Sequence, residues 1–458
     1  MGKMMLKSFP EDMSALTVDP CDLGRTLIDG CYKQTVEVQG RSREFFTYIP
    51  EGTESCRPCL VVAPPSGEDG LEYMERSGLK AFADEKKMFL FLMIPEDGGW
   101  DLSGADADFM NAVYVEAQAR DYYVTMQDNF YACGIGDGAD VAQQAACRMS
   151  SEWSGLMTMG DLKTDLGEIT LNKEAAGMGA NGELQIAAER AQLPVWMVVS
   201  RWEGASVSAG SYWRANNHSG EEVFSTKDAD YVWFPVLLRQ NLEMDEEMIA
   251  QVRVTVGDTE CSLSRLEQMW SYIGLARRHR GQERKNLRYF KDPVLCGAER
   301  KTMELDGLTR EWYEYVPECC TPDKTWPVVV VMHGRGGTAE TFFDISNMYQ
   351  VANRRKFIVA CPQAGVYQQK KGGLRNVASW SGTLNGKPID DIGFIRAMLE
   401  NMESRLPVDK GRIYACGQSS GGMMADTLCE FSGELFAATV SWSGLYTPAR
   451  STVRGERS

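Results

Sequence analysis

The chain repeats itself, and that repeat limits its fold more than any other feature. TVEVQGRSREFFTYIPE (35–51) and TMELDGLTREWYEYVPE (302–318) align without a gap, with eight of seventeen columns identical. Both alternate in polarity and are rich in β-branched and aromatic residues, which predicts a β-hairpin in each copy. CLVVAPPSGEDG (59–70) and VVVVMHGRGGTA (328–339) follow. Each is an apolar run that breaks into a Gly-containing loop, as a buried strand does at a functional sheet edge. Each copy then has a helix-like segment, another strand (MFLFLMIP or KFIVACP), and Trp100 or Trp380 in a polar, Gly-rich loop. Asp106 and Asp391 open the next amphipathic helices, where an aspartate is expected to cap free N–H groups. YACGIGDGADVA (131–142) and YACGQSSGGMMA (414–425) close the series. Strand, loop, helix, strand, helix, strand, turn, helix is the alternation of a parallel sheet with helices on both faces, so the fold class is α/β with two doubly wound sheets in tandem.

The copies differ in length. After its turn the first runs on through LPVWMVVSRWEGAS and MIAQVRVTV to SRLEQMWSYIGLARRHRG, whereas the second stops soon after LFAATVSWSGLY. The expected domains are 1–285 and 286–458, the second truncated after the helix that follows its turn and one further strand. Two or three domains suit 458 residues, and 43% apolar residues suffice to fill their cores. The net charge of −16 repels phosphate backbones and argues against a nucleic-acid partner. No apolar run approaches the roughly 18 residues of a membrane span, and no signal peptide is recognisable. Thirteen cysteines, an odd number scattered along a long chain, suit reduced thiols and a cytoplasmic location. Cys56 and Cys59 have redox or zinc spacing but no second pair, so no metal and no cofactor is expected.

The two turns differ in one chemical respect. Gly417-Gln418-Ser419-Ser420-Gly421 fits G-x-S-x-G between an apolar strand and a helix, the setting of a nucleophile elbow; the first copy has Gly136 at the serine position. HGRGG (333–337) follows the preceding apolar strand and predicts an oxyanion loop, with backbone N–H donors from Gly334, Arg335 and Ser420. In the first copy PPSG (64–67) stands where HGRG stands, and proline has no N–H to donate. Trp380 either lines an acyl or aryl pocket or packs beneath a loop. Cys133 and Cys416 read as buried strand residues, and Asp390 and Asp391 as helix caps.

Together, VVVVMHGRGGTAETF, ASWSG, DDIGFIRAML and GRIYACGQSSGGMMA resemble the esterase/poly(3-hydroxybutyrate) depolymerase family of α/β-hydrolases, which includes feruloyl and acetylxylan esterases. The resemblance covers about 295–445 and, through the repeat, extends more weakly over 30–282. It implies two α/β-hydrolase-like sheets and an acyl-enzyme formed on Ser419, with an Asp and a His supplied from loops after later strands. No histidine follows Ser419. The three in the chain are His218, expected in a solvated loop; His279, expected at a helix C-terminus; and His333, expected to brace its loop. Arg277–Lys285 reads as a solvated helix end and linker. The functional expectation is a serine esterase, poorly active for want of an identifiable acid and base, acting on a small-molecule or polymeric ester. The alternative is a catalytically inactive α/β-hydrolase-like binding or scaffold protein. No membrane partner is expected, and a homo-oligomer is a candidate cover for the second copy's sheet edge.

Overall fold

The computed structural model describes residues 4–11, 16–118, 123–125, 128–168, 177–178, 184–185, 191–236, 248–278, 287–369, 375–384 and 386–444. The chain forms two compact units, one of Met1–Glu11, Ile28–Arg120 and Thr125–Phe290, the other of Asp12–Leu27, Asp121–Val124 and Lys291–Ser458. Both are mixed α/β structures built on a largely parallel sheet.

The sheet of the first unit contains β1 (Leu6–Lys7), β2 (Gly30–Val38), β3 (Arg41–Ile49), β4 (Cys59–Ala63), β5 (Phe89–Met93), β6 (Phe130–Ile135), β7 (Gly155–Met159), β8 (Val195–Val199), β9 (Tyr231–Trp233) and β10 (Val252–Val256). Their order is β1-β2-β3-β5-β4-β6-β7-β8-β10-β9. β2 and β3 form an antiparallel hairpin, and β5, β4, β6, β7, β8 and β10 run parallel. Every residue of β4, β5, β6, β7 and β8 is buried, as expected of strands covered on both faces. CLVVA and FLFLM are continuous apolar runs for the same reason.

The second unit has β11 (Glu299–Leu305), β12 (Leu308–Tyr315), β13 (Trp326–Met332), β14 (Ile358–Pro362), β15 (Val408–Gln418) and β16 (Ala438–Trp442), in the order β11-β12-β14-β13-β15-β16. Its apolar residues divide by strand parity. Val328, Val330 and Met332 face the helices Asp391–Arg405 and Ser420–Ser432, contributing to a core with Phe394, Met398 and Leu428. Val331 faces the other way, into a core with Phe342, Phe343 and Cys416, and Val329 packs against that core. Hairpin, crossover strand and elbow strand thus follow one order in both units: β2-β3-β5-β4-β6-β7 and β11-β12-β14-β13-β15-β16. The outermost of these six differs. β7 is wholly buried, with β8 beside it in parallel register, whereas β16 pairs only with β15 among the described residues and leaves Val440 52% exposed.

Two expectations need correction. Asp106 and Asp391 do not cap their helices. The cap of Asp391–Arg405 is Asp390, whose carboxylate accepts from the Gly393 N–H, and Ala105–Ala117 begins at Gly104 with no side-chain cap. Each of the other two aspartates is a buried ion-pair partner: Asp106 of Arg43, and Asp391 of Arg310 at 2.6 Å. Nor are Arg277 and Arg278 a solvated helix end. The helix stops at Ile273, and Ala276–Arg278 is a strand paired with Leu287–Tyr289. Arg278 is 1% exposed, and its guanidinium donates to the carbonyls of Trp153, Ser150 and Gln192. A buried cation is tolerated there because backbone oxygens take up its N–H groups. His279 and the rest of Arg277–Lys285 lie outside the described residues.

Candidate active site

The elbow is built by glycine on either side of a serine. Ser419 sits between β15 and the helix Ser420–Ser432 with φ 52 and ψ −116, a backbone conformation that an L side chain rarely adopts. The turn is this tight because the helix start presses against two strands. A Cβ on Gly417 would collide with the Gly421 backbone, and one on Gly421 with the carbonyl oxygens of Met332 and His333. The Ser419 N–H donates to the Trp442 carbonyl of β16 (2.8 Å), which fixes the turn to the sheet and leaves the serine exposed. Ser420 is the first helical residue, a position whose N–H has no acceptor within its own helix and points along the positive end of the dipole. Its hydroxyl is buried without a hydrogen-bond partner among the described residues.

The loop after β13 lies against this turn. Gly334 is placed so that a Cβ there would come 3.4 Å from the Ser419 Cβ and 3.3 Å from the Gln418 carbonyl oxygen. Its shape is held from within and from beneath. The Gly336 and Gly337 N–H groups donate to the Ala378 and Gly334 carbonyls, so they are not available to a ligand. His333 is 1% exposed; its Nε2 accepts from the Ala364 N–H (3.0 Å) and its Nδ1 lies 2.8 Å from the Gly334 carbonyl. Because Nε2 accepts, the ring proton sits on Nδ1 and donates to Gly334, which commits one nitrogen to the loop and the other to the Ala364 N–H. Trp380 lies beneath, 6% exposed in the core, and its indole N–H donates to the His333 carbonyl (2.7 Å). Arg335 is exposed on the loop.

The structure therefore brings Ser419, Ser420 and Gly334 together at one sheet edge, with Arg335 next along the loop. His333 is the sole histidine within the sequence of this unit, and His218 lies in the other unit, in an exposed turn at φ 53. Cys416 is buried in β15, and burial pushes its thiol up to about 12; Cys133 of β6 is raised the same way. Among the described residues no group of three or more His, Cys, Asp or Glu side chains is placed to hold a metal ion.

The first unit repeats the supports and alters the centre. Trp100 donates to the Pro64 carbonyl (2.8 Å) as Trp380 does to His333. Arg43 pairs with Asp106 and lies over Phe109, as Arg310 pairs with Asp391 and lies over Phe394. Gly136, at φ 60, donates its N–H to the Met159 carbonyl, as Ser419 does to Trp442. At the centre, however, Asp137 stands where the other unit has Ser420, and its carboxylate accepts from both the N–H and the hydroxyl of Ser66. An internal anion thus occupies the N–H that corresponds to Arg335. Sequence reasoning missed this plug and the two arginine braces. The braces had left a signal, since Arg43 and Arg310 share an identical column of the repeat.

A serine thrust out on a strained strand-to-helix turn above a parallel sheet, beside a glycine loop, is the arrangement of α/β-hydrolases. No family model matches the chain. Over 133 residues it is 29% identical to feruloyl esterase B of Neurospora crassa, covering 29% of this chain and 43% of that protein. Feruloyl esterase C of Emericella nidulans is 32% identical over 161 residues, 34% of this chain and 52% of its own length. Among solved structures, an acetyl xylan esterase from Aspergillus awamori aligns with 33% of this chain and 56% of its own, at 20% identity and a TM-score of 0.25. The chain spans about half or less of the length of the curated relatives it matches. No helix among the described residues is long and apolar enough to cross a membrane.

Proposed function

We propose that the second unit is a serine esterase that forms an acyl-enzyme on Ser419, and that the first unit is a copy of the same fold without a nucleophile. The observation that carries the proposal is Ser419 itself, exposed at φ 52 on the elbow with Gly334 packed against it. Attack of its hydroxyl on an ester carbonyl would place the developing oxyanion near the Ser420 N–H, at the positive end of a helix, and near the loop N–H groups of Gly334 and Arg335. The tandem reading is supported by the shared six-strand order and by the paired Arg–Asp and Trp–carbonyl contacts. The substrate would be a carboxylic ester, small or polymeric, as the names of the relatives suggest. The odd number of cysteines scattered along the chain supports a reducing compartment, and the side of β16 that has no strand beside it among the described residues supports association with a second copy.

This esterase is a slow one. A serine hydroxyl is a weak nucleophile until a base takes its proton, and the His333 ring is committed to the Gly334 carbonyl and the Ala364 N–H. Binding and an oxyanion hole alone leave an acceleration of roughly 10³–10⁴ over water. The test is turnover of short p-nitrophenyl esters by the full chain and by Ser419→Ala. Weak turnover that disappears in the variant supports the reading. Turnover that survives assigns the activity elsewhere. Rapid turnover lost on His218→Ala or His279→Ala would show that a base reaches Ser419 from the other part of the chain. The committed His333 ring also favours a second reading, an inactive binding or scaffold protein, and complete inertness towards esters and a fluorophosphonate alike would select it.

A further inference from the structure

The loop that carries Gly334 rests on an excursion of the chain between β14 and the helix Asp391–Arg405. In the first unit the matching connection is short, residues 94–104; in the second it runs from 363 to 390 and includes a small sheet of Val366–Gln369, Arg375–Ala378, Thr383–Leu384 and Lys387–Pro388. This excursion supplies the Ala378 carbonyl that holds the Gly336 N–H and the Trp380 indole that holds the His333 carbonyl. It is tied down in turn by Asp391, which accepts from the Ser381 N–H (2.7 Å), and by the Ser379 N–H on the Gly365 carbonyl (3.0 Å).

Its apolar side is covered by a segment from far away in sequence. Val18 and Leu23, 5% and 7% exposed, form a cluster with Val366 and Ile389, against which Leu27, Leu308 and Leu384 pack. The segment arrives pre-shaped. The Cys21 N–H donates to the Asp19 carboxylate, Asp22 N–H to the Asp19 carbonyl and Arg25 N–H to the Asp22 carbonyl. A backbone bond helps to dock it, from the Thr309 N–H to the Pro20 carbonyl (2.9 Å). Ile389 transmits the contact, because it lies so close to Gly365 that a Cβ there would come within 2.8 Å of its Cδ1.

We propose that residues 16–27 are a strap that positions the oxyanion loop of the second unit by covering the excursion on which that loop rests. The role of the loop rests on the esterase reading; the strap itself does not. The chain therefore lends its beginning to its later half, and the shorter loop of the first unit requires no such cover.

The experiment is hydrogen exchange by mass spectrometry on the full chain, for wild type, Leu23→Ala and Leu23→Met, with fluorophosphonate labelling of Ser419 measured in parallel. Leu23→Ala should speed exchange in 333–338 by at least roughly tenfold while the strands 130–135 and 413–417 keep their protection. Leu23→Met, which restores the apolar volume, should return the loop to wild-type exchange. Labelling of Ser419 should slow several-fold in the alanine variant and recover in the methionine one. Unchanged exchange at 333–338 while 16–27 itself loosens would overturn the strap. So would an even loss of protection over the whole second unit, which would make the segment an ordinary part of its core. A loop that loosens as expected beside a Ser419 that never labels in any variant keeps the strap and removes the esterase.

Discussion

At the two elbows the same small space is filled from opposite sides. In the second unit the turn carries the side chain, Ser419, and the loop facing it is Gly334, with room for a Cβ only at 3.4 Å. In the first unit the turn is Gly136 and the loop carries the bulk: a Cβ at 136 would lie 3.1 Å from the Pro65 Cβ. Beside them, Ser420 becomes Asp137, and its carboxylate takes the Ser66 N–H. The supports around this centre are alike, down to the indole N–H on a loop carbonyl and the arginine over a phenylalanine ring. The same scaffold can therefore hold the volume at this point on either of two touching elements.

The largest expected effect separates the two centres outright. A fluorophosphonate probe should label the second unit only, and Ser419→Ala should abolish the label; a labelled peptide from 130–142 would break the comparison. Next comes the scaffold the units share. Asp391→Ala removes the buried carboxylate from Arg310, and Asp106→Ala leaves Arg43 only the exposed Glu96 at 3.6 Å; breaking a buried pair of this kind costs about 3–5 kcal/mol. Denaturant-dependent hydrogen exchange in the strands of each unit should show a loss of that size confined to the unit that carries the change. A marked loss for one and none for the other would mean that the two braces do different jobs. Smaller again is the effect of the elbow glycines. Gly421→Ala and Gly138→Ala both force a methyl group against strand carbonyls, and overpacking of this kind costs about 1–3 kcal/mol in the affected unit. The smallest expected effect is none at all. Gly136→Ser alone should gain no labelling, because Pro65 crowds the new side chain and Asp137 holds the oxyanion donor. Labelling of that variant would show that the missing hydroxyl is the sole defect of the first centre.

What could be read from the sequence was local. Runs such as CLVVA and WPVVVVM declare buried parallel strands by composition, and G-x-S-x-G between a strand and a helix declares an elbow because few other structures need glycine on both sides of a serine. The hairpins of both copies lie where alternation places them. Long-range pairing left only one trace, the arginine shared by the two copies at 43 and 310, which does not say what those arginines pair with. Nothing near Asp391 in sequence announces Arg310, so it reads as a second cap beside Asp390. Arg277 and Arg278 look solvated because their acceptors are, in large part, backbone carbonyls, which every residue has and no pattern reveals. The docking of 16–27 was illegible for the same reason: buried side chains at 18, 23 and 26 and a backbone bond from Thr309 leave no periodicity. The sequence leaves Trp380 open between pocket and packing, since the bond from its indole N–H to the His333 carbonyl has no local pattern.

The backbone angles at the elbow set different energetic terms for the two turns. A serine held at φ 52 and ψ −116 stores strain on the order of 1–3 kcal/mol, which the surrounding sheet and helix must absorb. Glycine at φ 60 stores almost none. The strain makes the backbone at 419 one that a glycine would relieve, whatever else that change removed. In the first unit the matching turn is already Gly136, and Pro65 of the facing loop lies against it. A serine at position 136 alone is uphill twice, once in strain and once in crowding. Gly136 and Pro65 are in this sense coupled: a side chain can be added to that turn without penalty only if the loop facing it gives way as well.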